Sequence, residues 1–304
     1  MNHWFAPGYA GVVGQHIAPV RKFGMIHEAL RAGGLVAPDA WRESVAATRA
    51  ELETVHSAAF LDRVEALAAT PEAAMAEFEI PISPPILDLF RLMTGGTIGA
   101  ARDALRDGAA VNLGGGFHHG FADRGEGFCL YNDLAIAIRV LRAEGLVKRA
   151  AVIDLDVHQG NGTARIFRDD PDTFTLSIHQ EHNYPVKEKS SLDLGLDDHT
   201  DDEGYQDALR SVLPAVFDGF RPDLVLYQAG VDPFRDDQLG GLALTHDGLV
   251  RRDRLVARTC RHYRVPVALT LGGGYAFRIE DVVTAHLNTI RVFRETFIPD
   301  GPNP

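Results

Sequence analysis

Two hydrophobic patterns alternate along the last two thirds of the chain. Five short runs, Ala109–Leu113, Ala150–Leu155, Thr173–Ile178, Leu224–Ala229 and Val265–Leu271, are β-branched-rich and show no polar alternation. Such runs suit strands covered on both faces, as in a parallel sheet. Longer segments with helical spacing lie between and around them, at Ile86–Leu105, Asp133–Glu144, Gly204–Phe217, Gly248–Tyr263 and Ile279–Phe297. Strands alternating with helices of that length predict βαβ crossovers and an α/β fold. The first hundred residues read as mostly helical, with Arg21–Ala32 and Ser57–Ala68 as examples. There is no internal repeat, and the Ala-rich stretch Leu67–Ala76 is too short to link domains. One domain over 1–298 is expected, with PDGPNP at 299–304 as a frayed tail.

Composition narrows the class. Of 304 residues, 45% are hydrophobic and 24% charged, so there is ample apolar material for a folded core. No run of ~18 uncharged apolar residues exists, so no membrane span is expected. The N-terminus lacks the basic-then-apolar order of a signal peptide. Cys129 and Cys260 form no CxxC pair, which excludes a disulfide scaffold and a cysteine-rich zinc site. A cytoplasmic location is the expectation. The net charge of -12 disfavours nucleic acid as a ligand and favours cationic substrates through the long-range field.

Candidate chemistry gathers where the apolar runs end. GGGFHHG (114–120), DLDVHQGNG (154–162), SIHQEH (177–182), AGVDPF (229–234) and GGGYAF (272–277) each follow or close a predicted strand. Sites in open parallel sheets form outside the C-terminal strand ends. Asp154, Asp156 and His158 alternate, so in extended chain they point the same way. Buried there without partners they would be costly, and a divalent cation removes the cost. Asp156, His158 and Asp232 make a two-carboxylate, one-imidazole set that leaves room for water and substrate. The alternative is a salt-bridge and capping network, against which stands the lack of an Arg or Lys close in sequence. His118 and His119, after three glycines, can divide base and acid duties, or one can be a ligand and the other a core histidine. Asp154 and Asn161 are free to fix their tautomers. Tyr275 is either an oxyanion donor or the aromatic anchor of a turn. Phe128, Tyr184 and Leu239 read equally as channel wall or core. Cys129, between Phe128 and Leu130, reads as a buried apolar residue. His3, His16, His27, His199, His246, His262 and His286 stand alone and read as surface or helix-face residues.

In their order and spacing, GGGFHHG, DLDVHQGNG, AGVDPF and LGGGYAF resemble the zinc-dependent histone deacetylase superfamily. The likeness extends through ELETVHSAAFL (51–61) and TGGTIGAARDAL (94–105). GFHH with DRGEGFCLYND, and the HQGNG form, look most like the class IV branch and its bacterial relatives. The resemblance implies a single-domain arginase-deacetylase fold with a central eight-stranded parallel sheet flanked by helices. It implies Zn²⁺ on Asp156, His158 and Asp232, with His119 as general base and His118 in electrostatic support. Asp154 would pair with His118 and Asn161 with His119, while Tyr275 would polarise the acyl carbonyl. Gly127, Phe128, Tyr184, Leu239 and Gly273 would contact substrate. A structural monovalent cation, K⁺, would bind backbone oxygens of Asp154, Asp156, His158 and Ile178 and side-chain oxygens of Asp156 and Ser177. A second cation loop would lie at Phe167, Asp170 and Thr173. The region around Tyr184 departs from the class I pattern. The implied reaction is hydrolysis of an acylated lysine or a related acylated amine, with acetyl and longer fatty acyl groups both open. The alternatives are a non-catalytic acyl-lysine binding protein and a ureohydrolase of the related fold. The latter needs two manganese ions and a second aspartate, where this chain has Asp232-Pro233-Phe234.

Overall fold

The computed structural model describes residues 1–11 and 16–298, so the expected tail at 299–304 lies outside the described residues. Its strands are β1 (Asn2–Phe5), β2 (Trp41–Glu43), β3 (Ala109–Asn112), β4 (Ala150–Asp154), β5 (Thr173–Gln180), β6 (Leu192–Leu196), β7 (Leu224–Gln228) and β8 (Val267–Thr270). They form one eight-stranded sheet in the order β2-β1-β3-β8-β7-β4-β5-β6, and every pairing is parallel. The single α/β domain read from the strand–helix alternation is therefore observed.

The helices are α1 (Lys22–Ala32), α2 (Arg49–Leu52), α3 (Ala58–Leu67), α4 (Pro71–Phe78), α5 (Pro84–Asp107), α6 (Asp133–Ala143), α7 (Asn161–Phe167), α8 (Asp202–Pro214), α9 (His246–Tyr263) and α10 (Ile279–Phe297). Helix α5 shows how local sequence sets an element. It opens on two prolines, whose missing N–H groups are not needed in the first turn, and ends before Gly108 at φ 86°. Its middle has to come close to the sheet: a Cβ on Gly99 would stand 2.6 Å from the ring of Trp4 in β1.

Strands β3, β4, β7 and β8 are buried along their whole length. They sit side by side at the middle of the sheet. Because all run the same way, the loops that follow them emerge on one edge. That edge brings residues 113–120, 155–160, 229–232 and 271–275 together from distant parts of the chain.

Three differences from the expected pattern stand out. The N-terminal region contributes β1 and β2 as well as helices. Strand β4 ends at Asp154, so Asp156 and His158 lie in a turn and not in extended chain. His3, expected at a surface or on a helix face, is wholly buried in β1.

Candidate active site

The loop after β3 is tied down from its own C-terminal side. The Asp133 carboxylate, at the start of α6, accepts from the N–H groups of Gly116 and Phe117 at 3.0 and 2.7 Å. The neighbouring Asn132 side chain donates to Gly120 O at 3.0 Å and caps α6 through Ala135 N–H. Between these anchors His118 and His119 are held with ring centroids 4.0 Å apart, both buried.

Each ring has a different partner. His118 Nδ1 lies 2.8 Å from Asp154 Oδ2. His119 Nδ1 lies 2.8 Å from Asn161 Oδ1. Burial opposes charge on His118, but Asp154 and then Asp156 overcome it and raise the ring to about 9. Burial lowers His119 well below the usual histidine range, and the neighbouring His118 and His158 add to the effect. One ring is thus suited to carry charge, the other to stay neutral and accept a proton.

Asp156, His158 and Asp232 converge from the turns after β4 and β7, with one potential ligand atom from each lying within 4.8 Å of the others. His158 Nδ1 is 3.1 Å from Asp156 Oδ1 and 3.4 Å from Asp232 Oδ2. Burial, with the Asp156 charge adding, pushes the Asp232 carboxyl up to about 7. Its Oδ2 is buried without a hydrogen-bond partner. Two carboxylates, one of them with an orphaned oxygen, and an imidazole fit a divalent cation. Among the described residues this is the one group of its kind, and a second carboxylate cluster for a binuclear site is not found.

Gly273 abuts this cluster and lines the adjoining cavity. Its N–H donates to Asp156 Oδ2 at 3.1 Å, and a Cβ there would stand 2.0 Å from Asp232 Oδ2. Tyr275 follows in the same loop, its ring 6.0 Å from that of Phe128 in an edge arrangement. Tyr184 sits edge-on to His119 at 5.4 Å, and its hydroxyl donates to Glu79 Oε2 at 3.1 Å.

Two cavities meet at these groups. The outer one is lined by Gly127, Phe128, Tyr184 and Leu239. The inner one, about 80 Å³, lies between Phe23, Ile80, Ile86, Leu89, Phe90 and Met93. Both are bounded by His119, His158 and Tyr275.

Asp154 and Ser177 are paired across β4 and β5, beside Ile178, while the Ser177 hydroxyl bonds His179 Nδ1 at 2.9 Å. At the second expected cation loop, the Arg142 guanidinium reaches Asp170 Oδ2 and Thr173 Oγ1 at 2.6 and 2.8 Å.

Sequence reading missed several neighbours of the site. Buried Lys22 donates from Nζ to Gly272 O at 2.7 Å, so a cation does approach, from α1 and not from nearby sequence. Burial lowers its ammonium to about 8 against the pull of Asp232, Asp156 and Asp237. Gln228, the last residue of β7, donates to Asp156 Oδ2 at 2.8 Å. Asp237 accepts from Tyr275 N–H at 2.6 Å. The one signal in the sequence is Gln228, a polar side chain inside the apolar run Leu224–Ala229.

A neutral imidazole beside a cluster able to hold a cation, with a phenol lining the same cavity, has the division of labour of an amide hydrolase. Comparison with known proteins agrees. Residues 16–290 match the family described as the histone deacetylase domain. An uncharacterized protein of Picosynechococcus sp. is 43% identical over 284 residues, 93% of this chain and 94% of that one. Histone deacetylase 2 of Arabidopsis thaliana is 32% identical over 276 residues, 88% of this chain and 71% of that one. The crystal structure of an HDAC homolog from Aquifex aeolicus superposes with a TM-score of 0.81 at 25% identity, covering 96% of this chain and 83% of the other. The chain belongs to the histone deacetylase family, and it is a hydrolase acting on acyl amides.

Proposed function

We propose that the protein is a zinc-dependent, class IV-like deacylase of the cytoplasm. Its substrate is an acylated lysine side chain or a related acylated amine. The observation that carries this is the convergence of Asp156, His158 and the unpartnered Asp232 oxygen beside a histidine that stays neutral. Asp156, His158 and Asp232 would hold the zinc ion, which supplies Lewis-acid activation of the acyl carbonyl and of water.

The chain's own groups do the rest. His119, neutral when its Nδ1–H is bonded to Asn161, takes a proton from the attacking water at Nε2 and returns it to the leaving amine. His118, paired with Asp154, holds positive charge next to the developing oxyanion. The Tyr275 phenol is held well above its usual pKa by burial, then by Asp156 and Asp232, so it remains a donor and bonds the same oxygen. Phe128, Tyr184, Gly127 and Leu239 would line the path of the lysine stem, with Gly273 framing the floor. A structural K⁺ on Asp154, Asp156, His158, Ser177 and Ile178 belongs to the same reading. The inner cavity with its apolar walls favours acyl chains longer than acetyl as substrates alongside acetyl itself.

The test is a panel of peptides carrying acetyl- to myristoyl-lysine, with acylated polyamines alongside. Each is assayed for released acid before and after chelation and zinc restoration. Release that is lost with chelator and recovered with zinc is expected. Peptide retained without release would favour a binding protein, and two manganese ions per chain would favour a ureohydrolase.

A further inference from the structure

His119 serves as a base only while the proton on its ring sits at Nδ1, leaving Nε2 bare. An aspartate partner would guarantee this, because a carboxylate only accepts. Here the partner is the Asn161 amide, which can turn over and present its NH₂ instead. That rotation would force the opposite tautomer.

The geometry shows what prevents it. Asn161 Nδ2 donates to Glu126 Oε1 at 2.8 Å. Glu126 cannot donate, so it accepts only the NH₂ end of the amide and turns the oxygen toward His119. The backbone N–H of Gly162 donates to the same Asn161 oxygen at 2.9 Å and favours the same orientation. The second oxygen of Glu126 faces Arg124 Nε at 3.5 Å. Glu126 itself is fixed by a tight hairpin. It exchanges backbone hydrogen bonds with Cys129 at 3.1 and 2.9 Å. The two residues between them, Gly127 and Phe128, have φ of 55° and 62°, as a two-residue turn of this hand requires. One turn therefore places Phe128 on the cavity wall and Glu126 behind Asn161.

We propose that Glu126 is a positioning residue which, through the Asn161 amide, fixes the tautomer of His119 and supplies at one remove the charge a directly bonded carboxylate would give. This rests on the reading of His119 as the base.

The test substitutes Glu126→Gln, a side chain able to offer either an oxygen or an NH₂ to Asn161. In zinc-loaded wild-type protein, long-range ¹H–¹⁵N spectra should show His119 as a single tautomer protonated at Nδ1. E126Q should show a mixture, and its kcat should fall by about tenfold with KM unchanged, as for other outer hydrogen-bond partners of a reacting group. In an Asn161→Asp background the amide no longer needs locking and two carboxylates would repel. There, Glu126→Gln should leave kcat level or raise it. A single Nδ1 tautomer and wild-type kcat in E126Q, or the same loss in both backgrounds, would overturn the proposal. If the wild-type protein hydrolyses no acyl amine, the functional reading fails, while the tautomer spectra still decide the role of Glu126.

Discussion

Tyr275 hangs from a short loop whose backbone is held at both ends. Its N–H donates to Asp237 Oδ2 at 2.6 Å, and its carbonyl accepts from Gln238 Nε2 at 2.7 Å. Those bonds fix the residue through its backbone, without using the phenol. A Tyr275→Phe protein should therefore fold and hold metal as the wild type does. Its kcat should fall by about 10²–10³, the usual loss for one oxyanion donor. Steady-state kinetics with metal analysis on the same sample checks this, and undiminished turnover would remove the role. At this scale the sequence is most legible where residue type is unusual for its place. Two aspartates and a histidine closing an apolar run demand an explanation, as does a histidine pair after three glycines. Lys22, Asp237 and Glu126 carry no such mark. Lys22 reaches Gly272 across 250 positions of chain, and only the packing of α1 against the assembled fold brings the two together.

Among the elements, the legible strands were those covered on both faces. β3, β4, β5, β7 and β8 read as apolar runs because helices pack on each side. β2 and β6 are the edges of the sheet, and β1 lies next to one. β6 alternates between exposed and partly buried residues and includes Gly195, while β2 has only three residues. Half-covered, short strands leave no continuous hydrophobic signature. The helices give a second lesson in α9. Arg252 on that helix is fully buried and donates from Nη1 to Leu155 O at 3.2 Å and Gly230 O at 2.6 Å. These carbonyls lie just beyond β4 and β7, next to the turns that carry Asp156 and Asp232. Its counter-ion Asp253 also accepts from Tyr227 and Thr289 hydroxyls at 2.6 Å each. Replacing Arg252 by Met would strand that carboxylate in the core, at a cost of about 3–5 kcal/mol for a broken buried pair. Urea unfolding should show the loss. A double variant, Arg252→Met with Asp253→Leu, should recover part of it, and an undiminished midpoint in the single variant would contradict the assignment.

Across the whole molecule, acid should destabilise the fold through buried histidines outside the Asp156, His158 and Asp232 cluster. His3 in β1 is fully buried and packs beside Trp41, with ring centroids 5.6 Å apart. Burial lowers its pKa from 6.5 to about 3, and the nearby Arg294 and N-terminal charges push the same way. His56 is lowered to about 4, again chiefly by burial. The unfolded chain therefore takes up protons first as pH falls below 6.5, and the folded chain resists them. The stabilisation is complete above pH 6.5 and declines through the interval down to pH 3–4, by about 1.4 kcal/mol per pH unit for each histidine. A His3→Phe protein keeps an aromatic ring against Trp41 and loses this titration. Between pH 7.5 and 5.0 the wild type should lose about 2 kcal/mol more unfolding free energy than the variant. Urea denaturation at the two pH values measures that difference. Equal losses in the two proteins would mean that His3 is protonated in the folded state at no such cost, and that acid sensitivity arises elsewhere.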